Sequence, residues 1–168
     1  MKRDDWISIV FILTFVLSFI FSAFSKLASN INVFILLGVL IIILLIGIIF
    51  DMIGVAVLSA NEANFHAKAA NKIKGAKESI KLIKEGSVTS SICNDVIGDI
   101  CGIISGSIAT TLVILLLKNN DMSLIIVTAL ISSLTVGGKA IGKRIAVKKS
   151  DEITFIVGKI INKIKLKK

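Results

Sequence analysis

Four long stretches of this chain contain no charged residue, and they decide what kind of protein it can form. They cover residues 6–25, 27–50, 100–117 and 122–138. Because a helix rises about 1.5 Å per residue, stretches of this length cross, or nearly cross, a hydrocarbon layer of about 30 Å. The sequence therefore predicts an all-α membrane protein with about four transmembrane helices.

The composition supports a membrane protein over a soluble one. Hydrophobic residues make up 55% of the chain, the mean hydropathy is +0.92, and proline is absent.

The first stretch follows Lys2 and Arg3, as a signal peptide would. Its apolar run is longer than that of a typical signal peptide and no clean A-x-A cleavage site follows, so we expect a retained span.

The basic residues are concentrated in two segments and predict the topology. Six lysines lie between the second and third stretches, and the tail from Lys139 onward carries ten of the twenty basic residues. Because cytoplasmic loops are enriched in Lys and Arg, we expect both segments and both termini in the cytoplasm. The nearly neutral connections at Lys26 and at residues 118–121 should lie outside. This arrangement suits a multi-pass protein in the lipid bilayer of a bacterial inner membrane.

The net charge of +9 does not by itself indicate nucleic-acid binding. Among the tail lysines the only interleaved aromatic residue is Phe155, and basic flanks are what a membrane protein needs. We therefore expect no nucleic-acid partner.

The chain reads as a single membrane domain over residues 1–168, with two cytoplasmic elements. Residues 65–84 alternate Lys and Glu with apolar residues around Gly75, which predicts a juxtamembrane amphipathic helical hairpin. A solvated charged loop is the alternative there. Residues 151–168 predict a basic amphipathic helix at the cytoplasmic membrane interface. Its apolar stripe consists of Ile153, Ile156, Val157, Ile160, Ile161 and Ile164.

Polar residues in the apolar segments are the candidates for function, because charges inside a bilayer are expensive and usually line a pathway or hold an ion. Asp51, Ser59 and Glu62 would share one face of a continuous helix. Two of them have plain alternatives: Ser59 could bond the carbonyl of Val55, and Glu62 could simply end a span. Asp51 is the only charge between Lys26 and Glu62.

A second polar group opens the third stretch. Asp95 and Asp99 lie one helical turn apart, next to Asn94. Two carboxylates at that spacing in a low-dielectric setting either share a proton or recruit a cation, and Mg²⁺ prefers such oxygen ligands. Alternatively, the span begins only after Asp99 and both carboxylates lie in headgroup water. Gly98, Gly102 and Gly106 form a ladder that lets another helix approach closely, so we expect a homodimer.

No pattern in the sequence supports catalysis. There is no nucleophile with its base, no phosphate-binding loop and no zinc spacing. We therefore expect that the protein is not an enzyme.

Four ordered segments of the chain carry a family resemblance. They are LSANEA at 58–63, GAKESIKL at 75–82, CNDVIGD at 93–99 and GKAIGKRIA at 138–146. Over about residues 40 to 160 this order resembles the transmembrane domain of the CNNM/CorC magnesium transporters. In that family a span ends in S-x-x-E, an amphipathic hairpin follows, the next span opens with G-N-x-x-x-N, and another ends in G-E-x-x-P-K.

The resemblance implies a core over about residues 30–160 that holds Mg²⁺, with Na⁺ as a coupling ion. By position, the resemblance assigns metal ligation to Ser59 and Asn94. Gly98 stands where the G-N-x-x-x-N pattern has its second asparagine, with Asp99 beside it as a substitute. Glu62 and Asp95 complete the predicted metal-binding set. Lys139 stands where the family has its metal-binding glutamate. Residues 6–25 would be an extra span. The CBS domains of longer members do not occur in these 168 residues, so we expect no nucleotide regulation through them.

Two functions follow from these observations. The first is binding and transport of a cation, Mg²⁺ above all, along a polar pathway that includes Asp51. The alternative is a scaffold or regulatory subunit for another membrane protein, in which the Lys139 ammonium occupies the cation site and blocks transport.

Overall fold

The computed structural model describes residues 32–117 and 121–165, with isolated positions between Ser8 and Ala23. The predicted span at residues 6–25 therefore lies largely outside the described residues. The described part of the chain forms helices and no strands, which confirms the all-α prediction. The helices are α1 Val33–Ser59, α2 Glu62–Ala70, α3 Ala76–Lys84, α4 Gly86–Ser91, a π-helical segment Ile92–Gly98, α5 Asp99–Leu117, α6 Asp121–Lys148 and α7 Ser150–Lys165.

Three helical runs are long and apolar enough to cross a membrane, judged by length and composition among the described residues. They are Val33–Ser59, Gly86–Leu116 and Ile125–Lys148. Each extends beyond the charge-free stretch that predicted it. The second run begins at Gly86, since α4, the π-helical segment and α5 follow one another without a break. Asp95 and Asp99 therefore lie inside a helical run rather than in a loop before it.

The described residues group into two compact units. The first unit contains the residues up to Ile48 and Val96–Gly138, and the second contains Ile49–Asp95 and the residues from Lys139 onward. The prediction of a single membrane domain is not tested by this grouping and stays a prediction.

A stripe of apolar residues at four-residue spacing forms the core of the first unit. Such spacing places side chains on one face of a helix, where they pack against a neighbouring helix. Most of the remaining apolar surface of α1 is exposed; Phe34, for example, is 84% exposed, as expected for a helix surrounded by lipid. The core cluster consists of Leu36, Leu40, Val96, Ile100, Ile104, Ile108 and Leu112.

The predicted hairpin is present in the second unit and turns at Gly75. This residue has φ = 91°, in the left-handed region that favours glycine, and it precedes the first residue of α3. Phe65 of α2 is fully buried and contacts Phe155 of α7, with ring centroids 6.4 Å apart. The Lys68 ammonium lies 5.0 and 4.5 Å from the two ring centroids. These contacts hold α2 against α7.

The C-terminal amphipathic helix is also present, and it packs on α3 through small residues. Thr154 and Gly158 are buried on this face, where the Ser79 hydroxyl donates a hydrogen bond to the Thr154 carbonyl at 3.2 Å. Three isoleucines of the predicted apolar stripe point away from this contact and stay more than half exposed: Ile156, Ile160 and Ile164. Placement of this helix at the membrane interface stays a prediction.

At two of its positions the glycine ladder meets no other helix among the described residues. A β-carbon built at Gly102 or at Gly106 would meet no heavy atom within 4 Å. Both glycines line an open groove with Ser105, Ala109 and residues of α6. The described residues therefore do not provide the expected close contact at these two positions, and the homodimer stays a prediction.

Candidate functional site

Asp51 is the most deeply buried charge among the described residues of the second unit. It lies in the last third of α1, and its side chain is only 3% exposed. The Lys143 ammonium, on α6, lies 3.2 Å from Oδ2 of Asp51. A carboxylate in this position needs a positive charge beside it, because an isolated buried ion loses its hydration without compensation.

The Asp51–Lys143 contact is an ion pair without a well-directed hydrogen bond. Asp51 Oδ2 is buried and has no hydrogen-bond partner among the described residues, although the Lys143 nitrogen is close. The Lys143 side chain is 49% exposed, so only the carboxylate end of the pair is fully removed from solvent. The oxygen is therefore neutralised by Lys143 but keeps its acceptor capacity.

Asn94 brings a second buried oxygen to the same part of α1. Its Nδ2 donates a hydrogen bond to Ser90 Oγ at 3.0 Å, while its Oδ1 is buried with no hydrogen-bond partner among the described residues. The carboxamide packs directly on Gly54: a β-carbon there would overlap Oδ1 and lie 2.8 Å from Cγ. Gly54 is therefore needed for the close approach of Asn94.

The local helix type distinguishes the segment that carries Asn94. Residues Ile92–Gly98 are π-helical, between α4 and α5. Single π-helical turns are rare, and they occur frequently at functional sites. Asp51 and Gly54 are three residues apart on α1, and such positions have β-carbons about 5–6 Å apart. Asn94 therefore packs on α1 at a position three residues after Asp51.

The polar face predicted from Asp51 to Glu62 is interrupted. Helix α1 ends at the exposed Ser59, and Asn61 caps a new helix by accepting a hydrogen bond from the Ala63 amide at 3.1 Å. Glu62 is the first residue of α2 and pairs with His66 at 2.9 Å and Lys84 at 3.8 Å. An asparagine cap competes with continuation of the helix, and this is why Glu62 does not follow Asp51 on α1.

Asp151 holds this junction from α7. Its Oδ1 accepts a hydrogen bond from the Asn61 amide at 2.9 Å, and its Oδ2 accepts one from Asn64 Nδ2 at 2.6 Å. The turn after Ser59 is therefore tied to the C-terminal helix. Carboxylate acceptors form stronger hydrogen bonds than neutral ones, so this contact fixes where α1 ends.

The remaining predicted site residues lie on the π-helical segment, α5 and α6. Asp95 is exposed, and its Oδ2 accepts a hydrogen bond from Ser91 Oγ at 2.8 Å. Gly98 is buried at the end of the π-helical segment, Asp99 is the exposed first residue of α5, and Lys139 is partly buried on α6. No group of three or more His, Cys, Asp or Glu side chains in the described part of the chain is arranged to hold a metal ion. Whether these residues bind metal stays a prediction.

The pair formed by Asp51 and Asn94 fits the chemistry of a hard cation. One buried carboxylate oxygen and one buried amide oxygen, both lacking hydrogen bonds, are the ligand types that Mg²⁺ prefers, with waters completing its shell.

Comparison with protein families gives a match to the Cyclin M transmembrane N-terminal domain (CNNM) over residues 37–166. The chain belongs to the CNNM family. The expected resemblance is thereby confirmed, and the protein is a multi-pass membrane protein of a family associated with divalent-cation transport.

Comparison of this CNNM domain with curated proteins and with solved structures found no match in either set. The family match covers all of α2 to α7 and most of α1. It therefore includes Asp51, Asn94 and Lys143.

Sequence reasoning missed three residues at this site: Gly54, Lys143 and Asp151. A signal for Lys143 was present, because a buried Asp51 requires a cation and Lys143 stands at the lysine of the G-E-x-x-P-K pattern, one turn beyond Lys139. Gly54 contacts Asn94, which is 40 positions later in the chain, and Asp151 contacts Asn61, which is 90 positions earlier. Neither contact leaves a local signal in the sequence.

Proposed function

We propose that this CNNM domain binds a divalent cation, Mg²⁺ above all, and moves it across a bacterial inner membrane. The observation that carries the proposal is the buried Oδ1 of Asn94, which lacks a hydrogen bond among the described residues and packs on Gly54, three residues after the buried Asp51 in α1. A buried oxygen without a hydrogen bond destabilises a fold by about 1–3 kcal/mol, so the presence of two such oxygens in this fold favours a bound ligand. Na⁺ is the proposed coupling ion, and the protein is proposed not to be an enzyme.

The scaffold alternative receives no specific support. It requires the Lys139 ammonium in the cation site, whereas the ammonium 3.2 Å from Asp51 is that of Lys143. The Lys143 side chain is half exposed, so its ammonium can extend into water when a cation binds. We therefore favour transport over a purely structural partner for another membrane subunit.

A flux measurement tests this function. Purified protein in lipid vesicles loaded with a Mg²⁺-sensitive dye should move Mg²⁺ down its gradient, with and without Na⁺ on the opposite side. Changing Asn94 to Ala should abolish the flux, whereas Asn162→Ala, on the cytoplasmic helix α7, should leave it intact. Equal flux through wild type and the Asn94 variant would exclude Asn94 as a ligand, and absence of flux in wild type would reject transport.

A change at Gly54 should remove cation binding without unfolding the protein. In Gly54→Ala the new β-carbon would overlap Asn94 Oδ1, so the flexible carboxamide must move away from its place. Because alanine favours a helix by about 1 kcal/mol over glycine, we expect a melting temperature close to that of wild type. Gly38→Ala is the matched control, since a β-carbon there meets nothing within 4 Å. Mg²⁺ binding by Gly54→Ala with wild-type affinity would contradict the site.

The proposed topology places Lys77 and Lys163 in the cytoplasm and Lys26 and Asn119 outside. Single cysteines at these positions should react with an impermeant thiol reagent only from the predicted side. Labelling of position 77 from outside sealed cells would reject this topology.

The proposed homodimer is expected to use the open groove at Gly102 and Gly106. Gly102→Leu should then convert a dimer in detergent to a monomer, as measured by light scattering, while the helical content stays unchanged. A native protein that is already monomeric would reject the homodimer.

A further inference from the structure

We infer that Lys143 is a tethered counter-ion that competes with the transported cation for Asp51. In the absence of the cation its ammonium neutralises the carboxylate, and binding of the cation releases it towards solvent. This inference rests on the proposed function, and it identifies Lys143 as a residue that sets the affinity of the site.

The burial of Asp51 makes a counter-charge necessary. Its side chain is 3% exposed and lies in the last third of a helix long enough to cross a membrane. A carboxylate there requires a positive charge in every state of a transport cycle, because an unpaired buried charge is strongly destabilising. Lys143 provides that charge when no other cation is bound.

The charges of Asp51 and Lys143 are close together but poorly aligned for a hydrogen bond. The two charges are 3.2 Å apart, yet Oδ2 of Asp51 accepts no hydrogen bond. The ammonium therefore neutralises the carboxylate without binding it in the most favourable direction. A lysine ammonium is a compact charge on a flexible stem, and the Lys143 side chain is already 49% exposed. Its release into water requires little loss of buried surface.

Asn94 provides a second buried oxygen that Lys143 does not bind. Its carboxamide packs on Gly54, three residues after Asp51, and its Oδ1 has no hydrogen-bond partner among the described residues, so Lys143 does not satisfy both oxygens. A divalent ion with several coordination positions could contact both oxygens, directly or through its retained waters. The site is thus better matched to a small divalent cation than to the ammonium that occupies it.

Isothermal titration of the detergent-solubilised full chain with MgCl₂ tests the inference. Lys143→Met removes the competitor and should tighten Mg²⁺ binding by about tenfold or more, since a unit charge beside the ion is lost. Lys143→Arg should weaken binding, because the guanidinium can hold the carboxylate with two hydrogen bonds. Arg144→Gln, the exposed neighbour, is the matched control and should bind as wild type does.

The possible outcomes separate this inference from the proposed function. Equal or weaker Mg²⁺ binding by Lys143→Met overturns the competition, while wild-type binding would still support a cation site. Absence of Mg²⁺ binding in wild type and in every variant overturns both.

A second measurement uses wild type alone, in case Lys143→Met does not fold. An amine-acylating reagent should modify Lys143 several-fold faster with MgCl₂ than without it, as read by peptide mass spectrometry, while Lys149 changes little. Equal modification of Lys143 in both conditions would overturn the inference.

Discussion

Gly158→Ala should destabilise the protein even though alanine is the better helix former. A β-carbon at position 158 would overlap the hydroxyl of Ser79 and lie 2.6 Å from the Gly75 carbonyl oxygen and 3.0 Å from the Ser79 amide nitrogen. Two of these atoms belong to the backbone, so α7 must move away from α3. Forcing an extra methyl group into a packed contact typically costs about 1–3 kcal/mol, more than the gain in helix propensity of about 1 kcal/mol.

Circular dichroism melting in detergent checks this prediction, and Gly137→Ala is its matched control. Position 137 lies in α6, where a β-carbon meets nothing within 4 Å, so that variant should melt at the same temperature as wild type or higher. A larger residue, Gly158→Leu, should expose the α2–α3 hairpin to protease. Wild-type stability of both Gly158 variants would mean that α7 does not pack on α3.

Lys143→Met should lower the free energy of unfolding by about 3 kcal/mol when no divalent cation is present. The variant leaves Asp51 buried without a counter-charge, and breaking a buried pair from one side costs about 3–5 kcal/mol. We expect the low end because Lys143 is half exposed. Asp51→Asn should cost less, since the lysine left behind can extend into water.

Denaturant titration of the two single variants and of the double variant Asp51→Asn/Lys143→Met checks this asymmetry. The double variant should be more stable than Lys143→Met alone, because the unpaired charge is gone. The exposed pair Lys149–Glu152, with charges 3.8 Å apart, provides the control: Lys149→Met should change stability by less than about 1 kcal/mol. Equal effects at positions 143 and 149 would show that Asp51 is not buried as described.

Hydropathy alone predicted most of the architecture, since apolar stretches without charge can form little other than membrane helices. The hairpin was predictable because Gly75 interrupts an amphipathic pattern at a position that needs positive φ. The contact between α3 and α7 was not, because Thr154 and Gly158 are small and sit beside the conspicuous isoleucine stripe. Such packing depends on how closely two backbones approach, which no periodicity records.

The candidate site was only partly predictable. Asp51 and Asn94 were recognised because polar side chains in apolar helices need a reason to be there. Their partners Lys143 and Gly54 depend on how the helices are placed against one another. Lys139 and Lys143 are one turn apart on the same face of α6, so the sequence alone does not decide which of them reaches Asp51. The end of α1 was misjudged because Asn61 accepts the hydrogen bond that starts a new helix.

A crystal structure of the protein soaked in Mn²⁺, with anomalous diffraction data, tests the cation site most directly. Mn²⁺ scatters anomalously and shares the preference of Mg²⁺ for carboxylate, carbonyl and water ligands. We expect one strong peak beside Asn94 Oδ1 and the Asp51 carboxylate, with the Lys143 ammonium moved away from Oδ2. A strong peak only beside the exposed carboxylates of Asp95 or Asp99, or no ordered peak at saturating Mn²⁺, would contradict it.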